Sequence, residues 1–355
     1  MSLDALSQEI WVNILSHVGT AYFRQDVRRL TVSRKWYNIA WPVLFQDCEF
    51  TSESLVTFLG KCKDKGFREL IQRYLQSVHL SLNGFTSTKL PSSSPSTDPS
   101  DPSVPTNDAE TRQNAWEWTG QLGDNQVKLA DILKGCKKLH SLGLVAKPEG
   151  RDPDVGLTDR PYLMLLPLWS LLASTSNVTS LIFDTGGSSI IPILKGGETS
   201  HLCTHLCAKI SQMYPNLRQL RCRMNTICPK VLTPPEDSKD LPLEEVVINL
   251  RLKEDDGALG RPSQCFSSRR RVGSQLAALL EKAAKDLVPY LRNPKMVRLM
   301  YPALDMYTSD TEIHCYNALT GERRRLRETD AWDAEGEALN TFAYFASQDN
   351  KASTG

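Results

Sequence analysis

The sequence lacks an excess of charge of either sign, and it lacks a long apolar run. Its 42 lysines and arginines nearly balance 41 aspartates and glutamates, so charge alone draws the chain neither to nucleic acid nor to an anionic membrane. The uncharged apolar stretch at residues 162–173 contains Pro167 and has the length of a buried helix rather than a membrane span. We therefore expect protein partners, with no nucleic acid and no membrane among them.

A secretory signature is also missing. The nine cysteines are odd in number and scattered along the chain. Asp4 and Glu9 stand where a signal peptide would carry a basic start and an apolar run. We therefore expect reduced thiols and a location in the cytoplasm, the nucleus or both.

No sequence pattern indicates catalysis or a cofactor. Neither a glycine-rich phosphate loop, nor a GxSxG elbow, nor an HExxH pair occurs, and the glycine pairs at 186–187 and 196–197 lack dinucleotide-site spacing. The acidic run at 254–256 lies in a polar stretch, where solvation is the simpler interpretation. The arginine triplets at 269–271 and 323–325 either face solvent or bind an acidic or phosphorylated partner. We predict a non-catalytic protein with no cofactors.

The densest group of possible metal ligands comprises His201, Cys203, His205 and Cys207. If residues 201–214 form one helix, the two histidines share a face and the two cysteines lie about 200° around the axis from them. Four such side chains cannot converge on one ion. We therefore predict no metal site and interpret these cysteines, like Cys222 and Cys228, as buried thiols.

An apolar pattern with the spacing apolar-x-x-apolar-x-apolar recurs along the chain, and it puts two residues on one face of a strand. The six occurrences begin at Leu75, Leu139, Val178, Leu217, Leu243 and Met296. Helical patterns fall between them, at residues 125–136, 162–174, 201–214 and 274–292. This alternation predicts an α/β solenoid whose units bury their apolar faces on their neighbours.

Polar stretches interrupt the repeated pattern. Residues 86–112 are rich in Ser, Pro, Thr and Asp and are predicted to be a disordered loop. Residues 148–161 and 254–271 are interpreted as surface excursions. Residues 312–326 form two runs around the turn Leu319-Thr320-Gly321 and predict a C-terminal hairpin.

An asparagine precedes the strand in the segments YPNLRQL and STSNVTSL. This order of helix, asparagine and strand resembles a degenerate leucine-rich repeat. The resemblance places Asn83 and Asn225 at the positions of that repeat's ladder asparagine. Because other units lack the asparagine, the resemblance implies an irregular solenoid.

The first fifty residues carry many large apolar side chains. Ser7 is placed to cap a helix with Ile10, Ile14, Leu15 and Val18 on one face. A second helical stretch, for which Asp26 is a possible cap, extends to about residue 42. A unit this small leaves apolar surface unburied, which is typical of a partner-binding site. The alternative is a helical hairpin packed on the solenoid.

The motif L-x-x-E-I-W-x-x-I-L, followed by a spacer and V-S-R-x-W-Y-x-I-A-x-P-x-L-F, resembles the F-box, a three-helix motif that docks on the adaptor Skp1. The resemblance covers residues 6–45, and the whole chain is similar to fungal F-box proteins. It implies the Skp1-binding residues Leu6, Ser7, Glu9, Ile10, Ile14, Leu15, Val32, Trp36, Ala40, Pro42 and Leu44. Ser7 replaces the proline that the family usually has, so that proline's contact with the adaptor would be absent.

On this resemblance we expect four segments along the chain: an F-box at 1–50, a connecting helix and first repeat-like strand at 51–85, the loop at 86–112 and an irregular leucine-rich-repeat-like domain at 113–355. The implied function is the substrate-recognition subunit of a Skp1–cullin–F-box ubiquitin ligase. Skp1 would bring the cullin, a protein substrate would bind the repeats, and a separate enzyme would transfer ubiquitin. The alternative is an F-box and repeat scaffold outside any ligase.

Overall fold

The computed structural model describes residues 6–85, 107–147, 162–175, 177–186, 188–191, 205–253, 259–260, 263–265, 273–304, 311–327 and 329–339. Within these residues the chain has a mixed α/β fold with a large, mostly parallel sheet. Residues 86–106 of the predicted loop lie outside this range, as do residues 148–161. Residues 107–112 of that loop instead begin a long helix, because Ala109, Glu110 and Arg112 favour helix formation.

The N-terminal unit, residues 6–45, is helical and has its own core. It contains α1 (Gln8–Val18), α2 (Thr20–Gln25) and α3 (Arg34–Leu44), with a 3-10 turn at Val27–Leu30. The side chains of Ser7, Asp26 and Ser33 cap these elements by accepting a backbone N–H. The core of the unit consists of six buried apolar residues: Leu15, Phe23, Leu30, Ile39, Ala40 and Val43.

Strands and six further helices follow in the described part of the chain. The strands are β1 (Asp47–Phe50), β2 (Ser77–Leu82), β3 (Ser141–Ala146), β4 (Leu163–Met164), β5 (Ser180–Asp184), β6 (Ile190–Ile191), β7 (Gln219–Arg223), β8 (Thr226–Ile227), β9 (Glu245–Asn249), β10 (Leu252–Lys253), β11 (Leu259–Gly260), β12 (Ser263–Gln264), β13 (Met296–Leu304), β14 (Thr311–Asn317), β15 (Arg323–Leu326) and β16 (Glu337–Ala338). The helices are α4 (Ser52–Lys61), α5 (Lys65–Tyr74), α6 (Asn107–Leu133), α7 (Leu165–Ala173), α8 (Leu206–Ser211) and α9 (Gly273–Leu287), with 3-10 turns at Pro229–Leu232 and Val288–Tyr290.

The large sheet has the strand order β1-β2-β3-β5-β7-β9-β13-β14-β15-β16. Its strands are parallel and in chain order as far as β13, and the remaining ones are antiparallel. Short pairs accompany it: β4 with β6, β8 with β12, and β10 with β11. The predicted hairpin is observed as β14 and β15, and Gly321 supplies the positive φ of +76° that its turn requires.

The recurring apolar pattern forms two rows of side chains across the sheet. One row contains Val78, Leu142, Leu181, Leu220, Val246 and Val297; the other contains Leu80, Leu144, Phe183, Cys222, Ile248 and Leu299. All twelve side chains are at most 1% exposed and share one core with the helices α4 to α9. The sixth occurrence is wrong by two residues, because its pattern places Leu299 and Tyr301 in the two rows, whereas Val297 and Leu299 occupy them. Its predicted start, Met296, packs in a cluster with Val247 and Met300.

Three further boundaries differ from the prediction. β1 lies inside the segment expected to be F-box alone, and its four residues pair in parallel with β2. Residues 51–85 contain two helices, α4 and α5, rather than one. The helix predicted at 201–214 begins only at Leu206, and His205 precedes it in an extended conformation with φ −102° and ψ 157°.

Candidate partner-binding surfaces

Helix α1 exposes an apolar stripe. Ile10, Ile14 and Val18 follow one another at four-residue spacing, which puts them on one face of the helix. They are 45%, 40% and 44% exposed. Leu15, by contrast, is 2% exposed and packs with Trp11 and the other core residues of the N-terminal unit. The helix is therefore apolar on two sides, of which one is buried and one is open.

A groove follows this stripe, and we call it the α1 groove. It is lined by Ile10, Asn13, Ile14, His17 and Val18. His17 Nδ1 lies 2.8 Å from the backbone oxygen of Asn13, so a polar pair accompanies the apolar side chains. An apolar centre with polar neighbours is the usual composition of a protein–protein interface.

The same unit exposes four further apolar side chains, those of Tyr22, Val27, Val32 and Tyr37. Arg29 fixes the position of Tyr22. Its guanidinium carbon lies 4.0 Å from the centroid of the Tyr22 ring, and its Nη1 donates to the Tyr22 backbone oxygen at 2.6 Å. The exposed apolar surface of the N-terminal unit therefore extends beyond α1.

The predicted Skp1-binding residues differ in their exposure. Ser7, Glu9, Ile10, Ile14 and Val32 are exposed, whereas Leu6, Trp36, Pro42 and Leu44 are half-buried. Leu15 and Ala40 are instead part of the buried core between the helices, and their predicted contact with a partner stays a prediction. Asn13, His17 and Val18 also line the α1 groove but are absent from the predicted Skp1-binding set, although the sequence pattern already placed Val18 on one helix face with Ile10 and Ile14.

The N-terminal unit continues directly into the sheet. The Gln46 backbone oxygen accepts hydrogen bonds from the N–H groups of Gln76 and Ser77 at 2.7 and 2.9 Å. Gln46 Nε2 donates to Ser16 Oγ at 3.2 Å, which ties α1 to the same point. The rings of Phe45 and Phe67 meet edge to face at 5.4 Å. These contacts hold the α1 groove against the body of the protein without a linker.

The sheet face opposite the helices, here the helix-free face, is polar in its middle. Ser180 Oγ donates to Gln219 Oε1 at 2.9 Å, and Gln219 Nε2 donates to Glu245 Oε2 at 2.8 Å. Farther along the strands, Arg223 donates to both carboxylate oxygens of Asp184 at 2.6 and 2.5 Å. These bonds fix the side chains of neighbouring strands and create an ordered polar surface.

Residues 329–338 cover part of the helix-free face, which the sequence did not reveal. Arg221 Nη2 lies 3.3 Å from Asp333 Oδ2, and Arg298 Nη1 donates to the Ala334 backbone oxygen at 2.8 Å. Trp332 lies with its ring centroid 5.4 Å from the guanidinium carbon of Arg223. Trp332 and Ala334 also pack on the apolar cluster around β9 and β14. These contacts involve β7 and the strands that follow it in the sheet order, and the part of the helix-free face on β2, β3 and β5, which they do not involve, is here called the open part.

The arginine triplet at 323–325 is engaged within the chain. Arg323 donates to both carboxylate oxygens of Glu281, at 3.2 and 2.7 Å. Arg324 pairs with Glu322 at 3.3 Å, and Arg325 pairs with Glu312 at 3.0 Å and with Glu337 at 3.2 Å. Each guanidinium has a carboxylate partner, which favours internal pairing over an acidic ligand. Residues 269–271 lie outside the described residues.

Four side chains of types that can bind a metal ion meet near α8: His205, Cys207, Cys228 and Cys265. The prediction that histidines and cysteines of this region cannot converge is wrong for His205 and Cys207, because His205 is not helical. His201 and Cys203 lie outside the described residues. Hydrogen bonds with the Cys207 and Cys265 thiols, and with His205, hold the pKa of Cys228 well below its usual range. Cys222 is a buried thiol, as predicted, and burial raises its pKa.

No family model, curated protein or solved structure matches the chain. The resemblance to the F-box and to the leucine-rich repeat therefore stays a prediction. In the described residues, no helix has both the length and the apolar character needed to cross a membrane.

Proposed function

We propose that the chain is the substrate-recognition subunit of a Skp1–cullin–F-box ubiquitin ligase, acting in the cytoplasm, the nucleus or both. The observation that carries this proposal is the open α1 groove. It lies on a helical unit that has a separate buried core, so its apolar residues are not needed to fill that core. Ile10 and Ile14, which line it, belong to the motif that resembles the F-box. Covering such side chains with a partner removes apolar area from water and favours association.

We further infer that the sheet and its helices form an irregular leucine-rich-repeat-like solenoid. Three observations support this architecture: parallel strands in chain order, two continuous buried rows, and one core shared with the intervening helices. Asn225, at a predicted ladder position, donates from Nδ2 to Ser189 Oγ at 2.9 Å. This side-chain bond fits an irregular repeat better than a regular backbone ladder.

In this proposal the chain acts by proximity and contributes no nucleophile. Skp1 occupies the α1 groove, the cullin is attached through Skp1, and a protein substrate binds the open part of the helix-free face. Holding substrate and transferase in one complex raises the effective concentration of one near the other. Because Phe45 and Gln46 pack the N-terminal unit onto the rest of the chain, the two binding sites are joined by packed structure.

Co-purification of the full chain with Skp1 and cullin tests the proposal. The double substitution Ile10→Asp plus Ile14→Asp puts two carboxylates into the α1 groove. Burying them without partners is unfavourable, so we expect captured Skp1 to fall roughly tenfold or more. Val56→Asp on α4 is the matched control, because Val56 is also an exposed apolar residue, at 54%, but lies outside the N-terminal unit. We expect this control to retain capture.

Three results separate the interpretations. Capture of Skp1 together with cullin by the native chain, lost in the double variant, supports the ligase subunit. Capture of Skp1 without cullin contradicts the ligase assignment and favours the scaffold outside any ligase. Capture of neither protein, or equal capture by the native chain and the double variant, contradicts Skp1 docking at the α1 groove.

A further inference from the structure

We propose that His205, Cys207, Cys228 and Cys265 form a structural zinc site. Their ligand atoms all lie within 4.8 Å of one another. Structural zinc takes four ligands in a tetrahedron, and three cysteines with one histidine are a recurrent set. With zinc–sulfur bonds of about 2.3 Å, the sulfur–sulfur edges of such a tetrahedron are about 3.8 Å. The Sγ atoms of Cys207 and Cys265 are 3.9 Å apart.

The distance from histidine to cysteine is also close to that of a zinc site. Cys228 Sγ lies 3.9 Å from His205 Nδ1 and 3.8 Å from Nε2. A zinc–nitrogen bond of about 2.0 Å gives a sulfur–nitrogen edge of about 3.5 Å, so both observed separations are within about 0.4 Å of this edge. His205, Cys207 and Cys228 are buried and Cys265 is half-buried, which limits access of water to the site.

The four ligands come from three separate segments of the chain. His205 directly precedes α8, and Cys207 lies in the first turn of that helix. The Cys228 backbone oxygen accepts the Val231 N–H at 3.0 Å, at the start of the 3-10 turn. The Cys265 N–H donates to the Ile227 backbone oxygen at 3.3 Å, next to the pairing of β8 with β12. Secondary structure therefore brings the four side chains together from distant parts of the sequence.

A second set of buried thiols shows what a plain cysteine cluster in this protein is like. Cys48, Cys62 and Cys136 lie in the main core. Burial raises the pKa of the Cys48 and Cys62 thiols to about 11 and that of Cys136 to about 12. Within the described residues, three or more potential metal ligands come together at close range only in the group around His205. That group differs from the core thiols by its histidine and by its converging geometry.

The proposed zinc ion would fasten residues 263–265 to the body of the protein. The pairing of β12 with β8 involves two residues on each strand, which is a short ladder to hold a segment in place. A zinc ion bound by Cys265, Cys207 and Cys228 would link this segment to α8 and to the 3-10 turn. With four protein ligands the ion has no open position, so its role is structural rather than catalytic.

Elemental analysis of the full chain, produced with zinc and purified without chelators, tests the site. We expect about one zinc ion per chain. Replacing two ligands, Cys207→Ser plus Cys228→Ser, should reduce the zinc content roughly tenfold or more. Cys222→Ser is the matched control, because it removes a buried thiol on nearby β7 that is not part of the cluster. This variant should keep its zinc.

Cobalt binding to the native chain gives a measurement that does not depend on the folding of variants. After removal of zinc, Co²⁺ should produce the absorption of tetrahedral thiolate coordination, and added Zn²⁺ should abolish it. A folded native chain with neither zinc nor this absorption would overturn the proposal. A Cys207–Cys265 disulfide would also overturn it, if mass spectrometry finds that bond in the chain as purified, before any treatment that removes zinc. Neither measurement involves the α1 groove, so failure here is distinct from failure of the proposed function.

Discussion

The N-terminal unit leaves many of its large apolar side chains exposed, whereas the sheet-bearing part of the chain buries most of its own. Of the twelve large apolar residues exposed in the described part of the chain, seven lie within residues 6–45. In the sheet, in contrast, the helices α4 to α9 cover both rows of buried side chains. A small unit has too little volume to enclose all its apolar side chains, whereas a larger one can. Apolar surface that the chain leaves uncovered is available to a partner, which is why we propose the docking site on the smaller unit.

The largest expected effect concerns a residue in a buried row. Leu181→Ala removes a fully buried side chain of β5 and leaves a cavity between the sheet and its helices. We expect the free energy of unfolding to fall by about 2–5 kcal/mol, measured by urea denaturation. Ile182→Ala is the control, because Ile182 is the next residue of the strand, faces the opposite side of the sheet and is only half-buried. It should lower the free energy of unfolding clearly less. Equal losses would mean that the two faces of the sheet are not distinct in packing.

A smaller effect is expected where residues 329–338 cover the helix-free face. Gly336 has φ +69°, and a Cβ atom there would lie 2.6 Å from the Arg325 backbone oxygen. Gly336→Ala should lower the free energy of unfolding by about 1–2 kcal/mol because of the positive φ alone. The close contact with the Arg325 oxygen should add to this loss. We expect faster hydrogen exchange in residues 329–338, with most of the sheet unchanged.

Gly321 provides the control for this prediction. It has a similar φ of +76°, but nothing lies within 4 Å of its Cβ position. Gly321→Ala therefore reports the conformational cost without a clash. If both alanine variants lower the free energy of unfolding equally, the Arg325 carbonyl moves aside easily and the close contact at Gly336 adds nothing to the loss.

The smallest expected effect concerns the α1 groove. Ile14→Ala removes an exposed side chain, so the free energy of unfolding should change by less than about 0.5 kcal/mol while Skp1 capture decreases. The neighbouring Leu15 lies in the core of the unit, so Leu15→Ala should lower the free energy of unfolding far more. Thermal denaturation of both variants measures the difference. A large loss of stability in Ile14→Ala would show that the groove is part of the folded core rather than a surface for a partner.

The rows of the sheet were predictable because they depend on a local pattern. Residues two apart on a strand share a face, so Val78 and Leu80 already indicate burial on one side. The sixth unit failed because Val297, Leu299 and Tyr301 are all apolar and alternate along one strand, so the pattern alone does not choose which two of them lie in the rows. On α1 the same difficulty applies to Ile14 and Leu15. Which of these adjacent residues is buried depends on how α3 packs against the helix.

Other features depend on contacts between distant residues, which no local pattern contains. Cys207 and Cys265 are 58 positions apart and meet only because β12 pairs with β8. The helical prediction for residues 201–214 also concealed the cluster, since it placed His205 on a helix that starts one residue later. Likewise, nothing in the sequence around Trp332 indicates that this side chain packs near β7 and β9, which lie much earlier in the chain.

The chain order of the parallel strands has a consequence for how such a protein changes during evolution. Leu142, Leu181 and Leu220 are matched partners on successive strands and lie 39 residues apart in each case. Deleting or duplicating one such interval would bring equivalent residues back into alignment, because each strand pairs with its nearest parallel neighbours. A change of this kind would add or remove one strand and one helix at a time and would leave the N-terminal unit unaltered.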